Sequence, residues 1–261
     1  MSPSWREQVI ITLSPRQVTM ARYSRGLRPA LKDRKALACP RPVNRETWQP
    51  SIEVLRDALT HPNIEAADAT VVLSNHFVRY LLLPWNPDLV TAQEELAFVR
   101  ARFVQVFGER AQDWVLKSSP ARPGAPGVAC ALDRPLLEVV TALMAGSPLR
   151  LRSLQPALMA VCNERNRLPA GDAWIAIAES GQLLLGALRA GEWVSLRSRH
   201  LNGHAVVLAD IIEQEALLLG IEPGDEKVYL HRASDAALDL TGLKVHDWLS
   251  RGAPRQAGRA G

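Results

Sequence analysis

VIITLSPRQVTMARY, residues 9–23, decides how the fold begins. Apolar side chains alternate through residues 9–13, Ser14 and Pro15 interrupt the run, and residues 18–23 resume it. A period of two is typical of β-strands, and a polar break that contains proline is typical of a tight turn. The stretch therefore predicts a β-hairpin.

The residues that follow extend this hairpin into a small unit. A third short strand is predicted near residues 35–39, before a proline-rich turn. The period then changes, because Ile52, Leu55 and Leu59 are spaced three and four residues apart, as on one face of a helix. The opening unit is thus predicted to run strand, strand, strand, helix.

A second strand pair and a well-marked helix are predicted next. Residues 70–73 and 77–83 are apolar runs separated by three polar residues, which predicts a second hairpin. Thr91 and Glu94 have the spacing of a capping box, and Gly108 is a typical helix end. The predicted helix has an apolar stripe, which comprises Ala92, Leu96, Val99, Phe103, Val106 and Phe107.

The second half repeats this order of elements without repeating the sequence. Three strands are predicted over residues 174–178, 182–188 and 193–199, followed by a helix over 205–219 and a strand over 227–231. Each half therefore contains a strand meander, a helix and a further strand. This pattern predicts an α/β fold in which helices flank mixed sheets in two lobes.

Composition argues against several classes of protein. With 47% hydrophobic and 22% charged residues, the chain lies in the ordinary globular range, unlike a disordered or fibrous protein. Twenty-six of the 31 basic residues are Arg and the net charge is only +4, so no nucleic-acid partner is indicated. The cysteines Cys39, Cys130 and Cys162 are far apart, which suits a reducing compartment better than a disulfide framework.

Neither membrane insertion nor metal binding is indicated by the sequence. The apolar runs are strand-sized and the N-terminus lacks a signal-peptide core, so we expect a cytoplasmic protein. His200 and His204 have a spacing that two metal ligands on one helix can share, but Asn202 and Gly203 between them disfavour a helix. We therefore expect no metal site.

Motifs of several enzyme classes are missing. The chain contains no P-loop, no Gly-x-Gly-x-x-Gly fingerprint and no Gly-x-Ser-x-Gly elbow. The sequence thus gives no direct indication of a nucleotide-dependent or hydrolytic enzyme of those classes.

Several stretches of the chain resemble a known family. Residues 71–85, VVLSNHFVRYLLLPW, together with residues 113–118, are similar to the centre of the actin-like cytoplasmic proteins of type IV pilus and type II secretion platforms, the PilM, MshI and GspL group. Residues 151–166, residues 174–199 and the helix after Gly203 resemble the second lobe of that group.

The resemblance implies a two-lobed, actin-like (ribonuclease H-like) α/β fold with mixed sheets flanked by helices. The first lobe, with an inserted subdomain, would occupy residues 1–147, and the second lobe residues 148–250. Residues 251–261 contain no apolar anchor and are expected to form a disordered tail.

The resemblance also implies that a nucleotide would lie between the lobes, on two hairpin turns and a late glycine pair. An active member needs an Asp for magnesium, and Gly so that backbone N–H groups can approach the phosphates. The first turn, residues 13–17, has neither Asp nor Gly, and Pro15 has no N–H. Residues 231–234 are His, Arg, Ala and Ser where the glycine pair is expected.

The second turn keeps an acid and a glycine, but in a shifted order. All three elements therefore depart from the nucleotide-binding pattern, and the resemblance implies a protein that has lost ATP binding and holds no cofactor. The candidate vestiges of the cleft site are Ser14, Arg16, Glu179, Ser180 and Gly181.

In function, the resemblance implies a non-enzymatic cytoplasmic scaffold of a pilus or secretion platform. It would be held at the inner membrane by the cytoplasmic segment of a single-pass partner. The alternative is a divergent ATPase or kinase of the same fold that uses Glu179 or another acid, and an unrelated two-lobed binding module is a third reading. Which platform is served, and whether the chain forms a homodimer, stay open at this stage.

Overall fold

The computed structural model divides the chain into two compact units, Met1–Ala160 and Val161–Gly261. The strand Leu149–Pro156, placed in the second lobe by the sequence, pairs within the first unit. The predicted tail over residues 251–261 lies outside the described residues. The structure describes residues 6–26, 29–41, 48–62, 64–119, 122–164, 168–201, 206–222, 227–233 and 238–247.

The first unit is built around a mixed five-stranded sheet. Its described elements are β1 (Gln8–Leu13), β2 (Gln17–Tyr23), β3 (Leu31–Ala38), α1 (Gln49–Thr60), β4 (Ala67–Leu73), β5 (Val78–Leu83), α2 (Ala92–Phe107), β6 (Val115–Ser118), β7 (Gly127–Leu132), α3 (Arg134–Ala145) and β8 (Leu149–Pro156). The helix α4 (Ala157–Glu164) follows and runs across the division between the units.

The spatial order of the large sheet is β3-β2-β1-β4-β8. β1, β2 and β3 form an antiparallel meander, whereas β4 and β8 run parallel to β1. The predicted opening hairpin is therefore confirmed. Helix α1 buries Ile52, Leu55 and Leu59, the side chains whose spacing predicted it.

The predicted second hairpin is wrong. β4 lies between β1 and β8, while β5 pairs with β7 in a separate three-stranded sheet of order β5-β7-β6. Both residue runs are strands, as their composition indicates, but both edges of β4 are already occupied by parallel neighbours. Apolar periodicity identifies a strand and carries no information about which distant strand pairs with it.

The three-stranded sheet and α2 lie between β4 and β8 along the chain, and we call them the inserted part of the first unit. The capping box is confirmed, because the Thr91 hydroxyl accepts from the Glu94 N–H at 3.2 Å and the Glu94 carboxylate accepts from the Thr91 N–H at 2.9 Å. Of the predicted apolar stripe, Val99 and Phe103 are buried, whereas Leu96 and Val106 are about half exposed. The stripe facing the sheet is therefore narrower than the sequence predicts.

The second unit has its own mixed sheet, of order β11-β10-β9-β13-β15. Its described elements are β9 (Ala173–Glu179), β10 (Gln182–Arg189), β11 (Glu192–His200), β12 (Val206–Val207), α5 (Leu208–Leu219), β13 (Lys227–Arg232), β14 (Leu238–Asp239) and β15 (Val245–Asp247). Helix α5 begins three residues later than predicted, because residues 206 and 207 form the short strand β12 with β14.

The two large sheets share one topology. In each sheet, three strands form an antiparallel meander. A later strand pairs in parallel with the first strand of the meander, and the last strand pairs in parallel with that later strand. This arrangement confirms the predicted α/β class and the predicted repetition of architecture. Among the described residues, no helix is both long enough and apolar enough to cross a lipid bilayer.

Candidate functional site

The turn between β1 and β2, the first candidate phosphate turn, is closed by its own hydrogen bonds. The Ser14 N–H donates to the Gln17 carbonyl at 3.0 Å, and the Gln17 N–H donates back to the Ser14 carbonyl at 3.4 Å. The Ser14 hydroxyl donates to the same Gln17 carbonyl at 2.9 Å. The Ser14 and Gln17 amides are thus already used, and Pro15 has no N–H. Of residues 14–17, three therefore offer no free amide to a phosphate.

Neighbouring elements hold this turn from outside. Ser51, in the first turn of α1 and fully buried, donates its hydroxyl hydrogen to the Ser14 carbonyl at 2.7 Å. The Cys39 N–H, after β3, donates to the Arg16 carbonyl at 2.7 Å. Burial raises the pKa of the Cys39 thiol, an effect that hydrogen bonds with Ser51 and the Val18 backbone partly offset. These contacts occupy the Ser14 and Arg16 carbonyls and fix the turn to α1 and to the residue that follows β3.

The loop after β4 adds a buried polar pair beside the same sheet. Ser74 and Asn75 are both fully buried, and the Ser74 N–H donates to the Leu13 carbonyl at 2.9 Å, next to the first turn. The Tyr80 hydroxyl donates to the Asn75 side-chain carbonyl at 2.7 Å. Sequence reasoning assigned these residues to a hairpin turn and so missed this polar cluster.

The second candidate turn joins β9 to β10 in the second unit. Gly181 has φ +77°, a conformation that L side chains rarely adopt, which explains the glycine at that position. Its carbonyl accepts from the Leu201 N–H at 2.9 Å, which extends the pairing beyond β11. Glu179 is the last residue of β9 and is half-buried opposite Gln182.

The third expected element follows β13 in the same unit. His231 and Arg232 continue the pairing of β13 with β9, and the Ala233 N–H donates to the Ala178 carbonyl at 2.9 Å. Ordinary sheet pairing therefore runs through the place where the glycine pair is expected. Ser234 lies outside the described residues.

Metal ligands are not brought together in the part of the chain that the structure describes. No group of three or more His, Cys, Asp or Glu side chains there has an arrangement that could hold a metal ion. Of the two histidines considered from the sequence, His200 ends β11, and His204 lies outside the described residues.

A pocket of about 230 Å³ lies in the inserted part of the first unit. Trp85, which is 43% exposed, borders the pocket, and the Ser118 hydroxyl donates to the Glu95 carboxylate at 2.7 Å on its polar side. Sequence reasoning missed this pocket, because its lining residues come from segments that are distant from one another along the chain. The lining residues are Leu83, Pro84, Trp85, Asn86, Leu89, Glu95, Phe98, Ser118, Ser119 and Gly127.

The fold resembles several solved structures, whereas no family model and no curated protein matches the sequence. A Bacteroides thetaiotaomicron protein with an actin-like ATPase fold and unknown function superposes with a TM-score of 0.58 at 10% identity, over 88% of this chain and 84% of that chain. A chain of the PilM–PilN type IV pilus biogenesis complex gives a TM-score of 0.55 at 17% identity, over 82% of this chain and 66% of that chain.

A third similar structure is the cytoplasmic domain of EpsL, an inner membrane component of the type II secretion system of Vibrio cholerae. It superposes with a TM-score of 0.55 at 11% identity, over 90% of this chain and 86% of that chain. The chain therefore has an actin-like fold. Its predicted resemblance to the PilM, MshI and GspL group is confirmed at the level of that fold.

Proposed function

We propose that the chain is a non-enzymatic, actin-like scaffold of a type IV pilus or type II secretion platform. It would work in the cytoplasm and be held at the inner membrane by the cytoplasmic segment of a partner protein. The likeness in fold to a PilM–PilN complex and to the cytoplasmic domain of EpsL supports this class of role.

The proposal that the chain is not an enzyme rests on the turn between β1 and β2, which its own hydrogen bonds close. Phosphate turns bind through free backbone N–H groups that converge on the anion. Here the Ser14 and Gln17 amides are used within the turn, Pro15 has none, and Ser51 donates to the turn from α1. Arg16, although basic and exposed, cannot replace the acid that magnesium requires.

Thermal melting with ATP and magnesium tests this part. A ligand at 100 times its dissociation constant adds about 2.7 kcal/mol to the unfolding free energy, so millimolar ATP would raise Tm by several degrees if it bound with micromolar affinity. We expect no shift. A clear rise, together with turnover that Glu179→Ala abolishes, would favour the alternative of a divergent ATPase or kinase.

The docking part of the proposal rests on the pocket beside Trp85. Its walls of Leu83, Trp85 and Phe98 suit an apolar anchor, and Glu95 is an acidic group on its polar side. Cytoplasmic segments next to membrane spans are enriched in Lys and Arg. We infer that a partner segment places an apolar side chain against Trp85 and a basic side chain near Glu95.

A further inference from the structure

Charge is distributed unevenly along the chain, although its net charge is only +4. Residues 1–50 contain ten basic and three acidic side chains, a net charge of +7. Residues 201–250 contain three basic and nine acidic side chains, a net charge of −6. Such an asymmetry between two parts of one chain indicates that each part can attract a surface of opposite charge, although the net charge of the whole chain is small.

Three of these ten basic residues, together with the exposed Asp33, lie on an open strand. β3 is the edge strand of the first sheet and pairs on one side only with β2. Lys32, Arg34 and Lys35 are exposed on it, and Leu31, at 54% exposure, lies at its start. Among the ion pairs of the described residues, only that of Lys32 with Glu7 involves this strand.

Two further cations continue the row of positive charge. Arg16 is exposed in the first turn, and its carbonyl is bound by the Cys39 N–H just beyond the end of β3. Arg41 is exposed two residues later. We name this surface the basic edge, and it comprises Arg16, Leu31, Lys32, Arg34, Lys35 and Arg41.

An acidic counterpart lies on α5 in the second unit. This helix packs Leu208, Ile211, Ile212 and Ala216 into the core of its unit, which leaves the opposite face in solvent. The buried Glu215 is already satisfied by Ser195, Arg197 and Arg199 and is not part of that face. We name the exposed surface the acidic face, and it comprises Asp210, Glu213, Leu217 and Leu218 of α5 and Glu222, which follows the helix by three residues.

Two leucines at the C-terminal end of this face are unusually open to solvent. Leu217 is 81% exposed and Leu218 is 64% exposed, next to Gly220, which ends the helix with φ +66°. Single exposed leucines are common, but an adjacent pair beside carboxylates has the composition of a contact surface with an apolar centre and a charged rim.

We propose that the chain associates with a second copy of itself through contact between the basic edge of one copy and the acidic face of the other. The opposite charges provide the attraction, and Leu31, at one end of the basic edge, lies against Leu217 and Leu218, at the end of the acidic face. Like charges on β3 disfavour direct pairing of two β3 strands, which favours the acidic face as the partner surface. This contact goes beyond the scaffold role and does not depend on it.

Sedimentation of the full chain tests the contact. We expect the average mass to rise above 28.7 kDa with protein concentration at low salt, and to return towards 28.7 kDa in 1 M salt, where screening acts within about 3 Å. The double variant Arg34→Glu/Lys35→Glu should remain monomeric. So should the double variant Asp210→Lys/Glu213→Lys.

Mixing the two variants distinguishes this contact from any contact between identical surfaces. Each variant keeps the surface that the other has lost, so an equimolar mixture should form a heterodimer although neither variant associates alone. The control Lys117→Glu/Arg122→Glu changes two exposed cations of the inserted part and should associate like the original chain. A chain that stays monomeric at low salt, or a mixture that stays monomeric, would overturn the proposal.

Discussion

Gly186, in the middle of β10, lies where no side chain fits. A Cβ atom there would overlap the ring carbon Cζ3 of Trp193 and lie 3.1 Å from Cε3 and 3.3 Å from Leu196 Cδ1. Trp193 is buried, so its ring cannot move away without disturbing the sheet. We expect Gly186→Ala to lower the unfolding free energy by about 1–3 kcal/mol, as overpacking does, in urea denaturation.

Gly171 provides the matched control for that substitution. A Cβ atom at Gly171 would meet no heavy atom within 4 Å, and its φ is not in the left-handed region. Gly171→Ala should therefore leave stability unchanged or raise it by up to about 1 kcal/mol, because it restricts the unfolded chain. Equal losses from both substitutions would contradict the steric account of Gly186.

Glu7 should make stability depend on pH in acid. Hydrogen bonds from Lys32 and Arg22 lower the pKa of its carboxyl from 4.5 to about 2, against a smaller opposing effect of burial. Because the folded pKa is depressed, its stabilising effect is fully present above pH 4.5 and is lost as pH falls towards 2. Glu7→Gln should therefore be less stable than the original chain near pH 6, and this difference should shrink towards pH 2.

Glu65→Gln is the comparison for Glu7. The Glu65 side chain is 81% exposed and lies 3.8 Å from the same Arg22 guanidinium. Equilibrium unfolding at a series of pH values should give this variant the pH dependence of the original chain. If the unfolding free energy of Glu7→Gln, plotted against pH, runs parallel to that of the original chain, the ion pairs with Glu7 contribute nothing to the pH dependence of stability.

At the scale of elements, the start of α2 is determined by a capping box of residues that are neighbours in the sequence. Thr91 and Glu94 satisfy each other's backbone N–H groups at its N-terminus, and these bonds lower the pKa of the Glu94 carboxyl. Thr91→Ala should cost about 0.5–2 kcal/mol of unfolding free energy, the usual effect of removing a cap. Thermal melting of both variants tests this, with Gln93→Ala, at the neighbouring exposed position, as the control that should lose no measurable stability. An equal loss of stability in the two variants would argue against the cap.

For the whole molecule, the proposed docking predicts where the protein is found after cell fractionation. It should pellet with membranes when co-expressed with the inner-membrane partner of its pilus or secretion platform, and stay in the supernatant without that partner. Trp85→Ala should weaken binding to the partner roughly thirtyfold and so reduce pelleting, because aromatic anchors contribute about 2 kcal/mol or more to binding. Pelleting with membranes that lack that partner would indicate direct attraction to lipid instead.

Val90→Ala is the control for Trp85. Val90 is 85% exposed, lies four residues before Glu94 and does not line the pocket. Its backbone N–H, which donates to the Glu94 carboxylate, is unaffected by the substitution. If Val90→Ala reduces pelleting as much as Trp85→Ala does, the pocket is not the docking site.

The sequence alone determined the kinds of element and much of their order. The hairpin at residues 9–23, the cap of α2 and the meander of β9, β10 and β11 are each specified by neighbours within a few residues. The sequence also showed that the first turn departs from a phosphate turn. A missing Asp and a proline without an N–H are properties of the residues themselves.

Only the tertiary structure decided which strands pair and which side chains meet. β4 pairs with β1 and β8, from opposite directions along the chain, and Ser51 bonds to Ser14 across 37 residues. The pocket beside Trp85 likewise joins the end of β5 to α2, β6 and β7. Periodicity reports how one segment is buried, whereas pairing depends on the packing of all segments together, so no local pattern contains it.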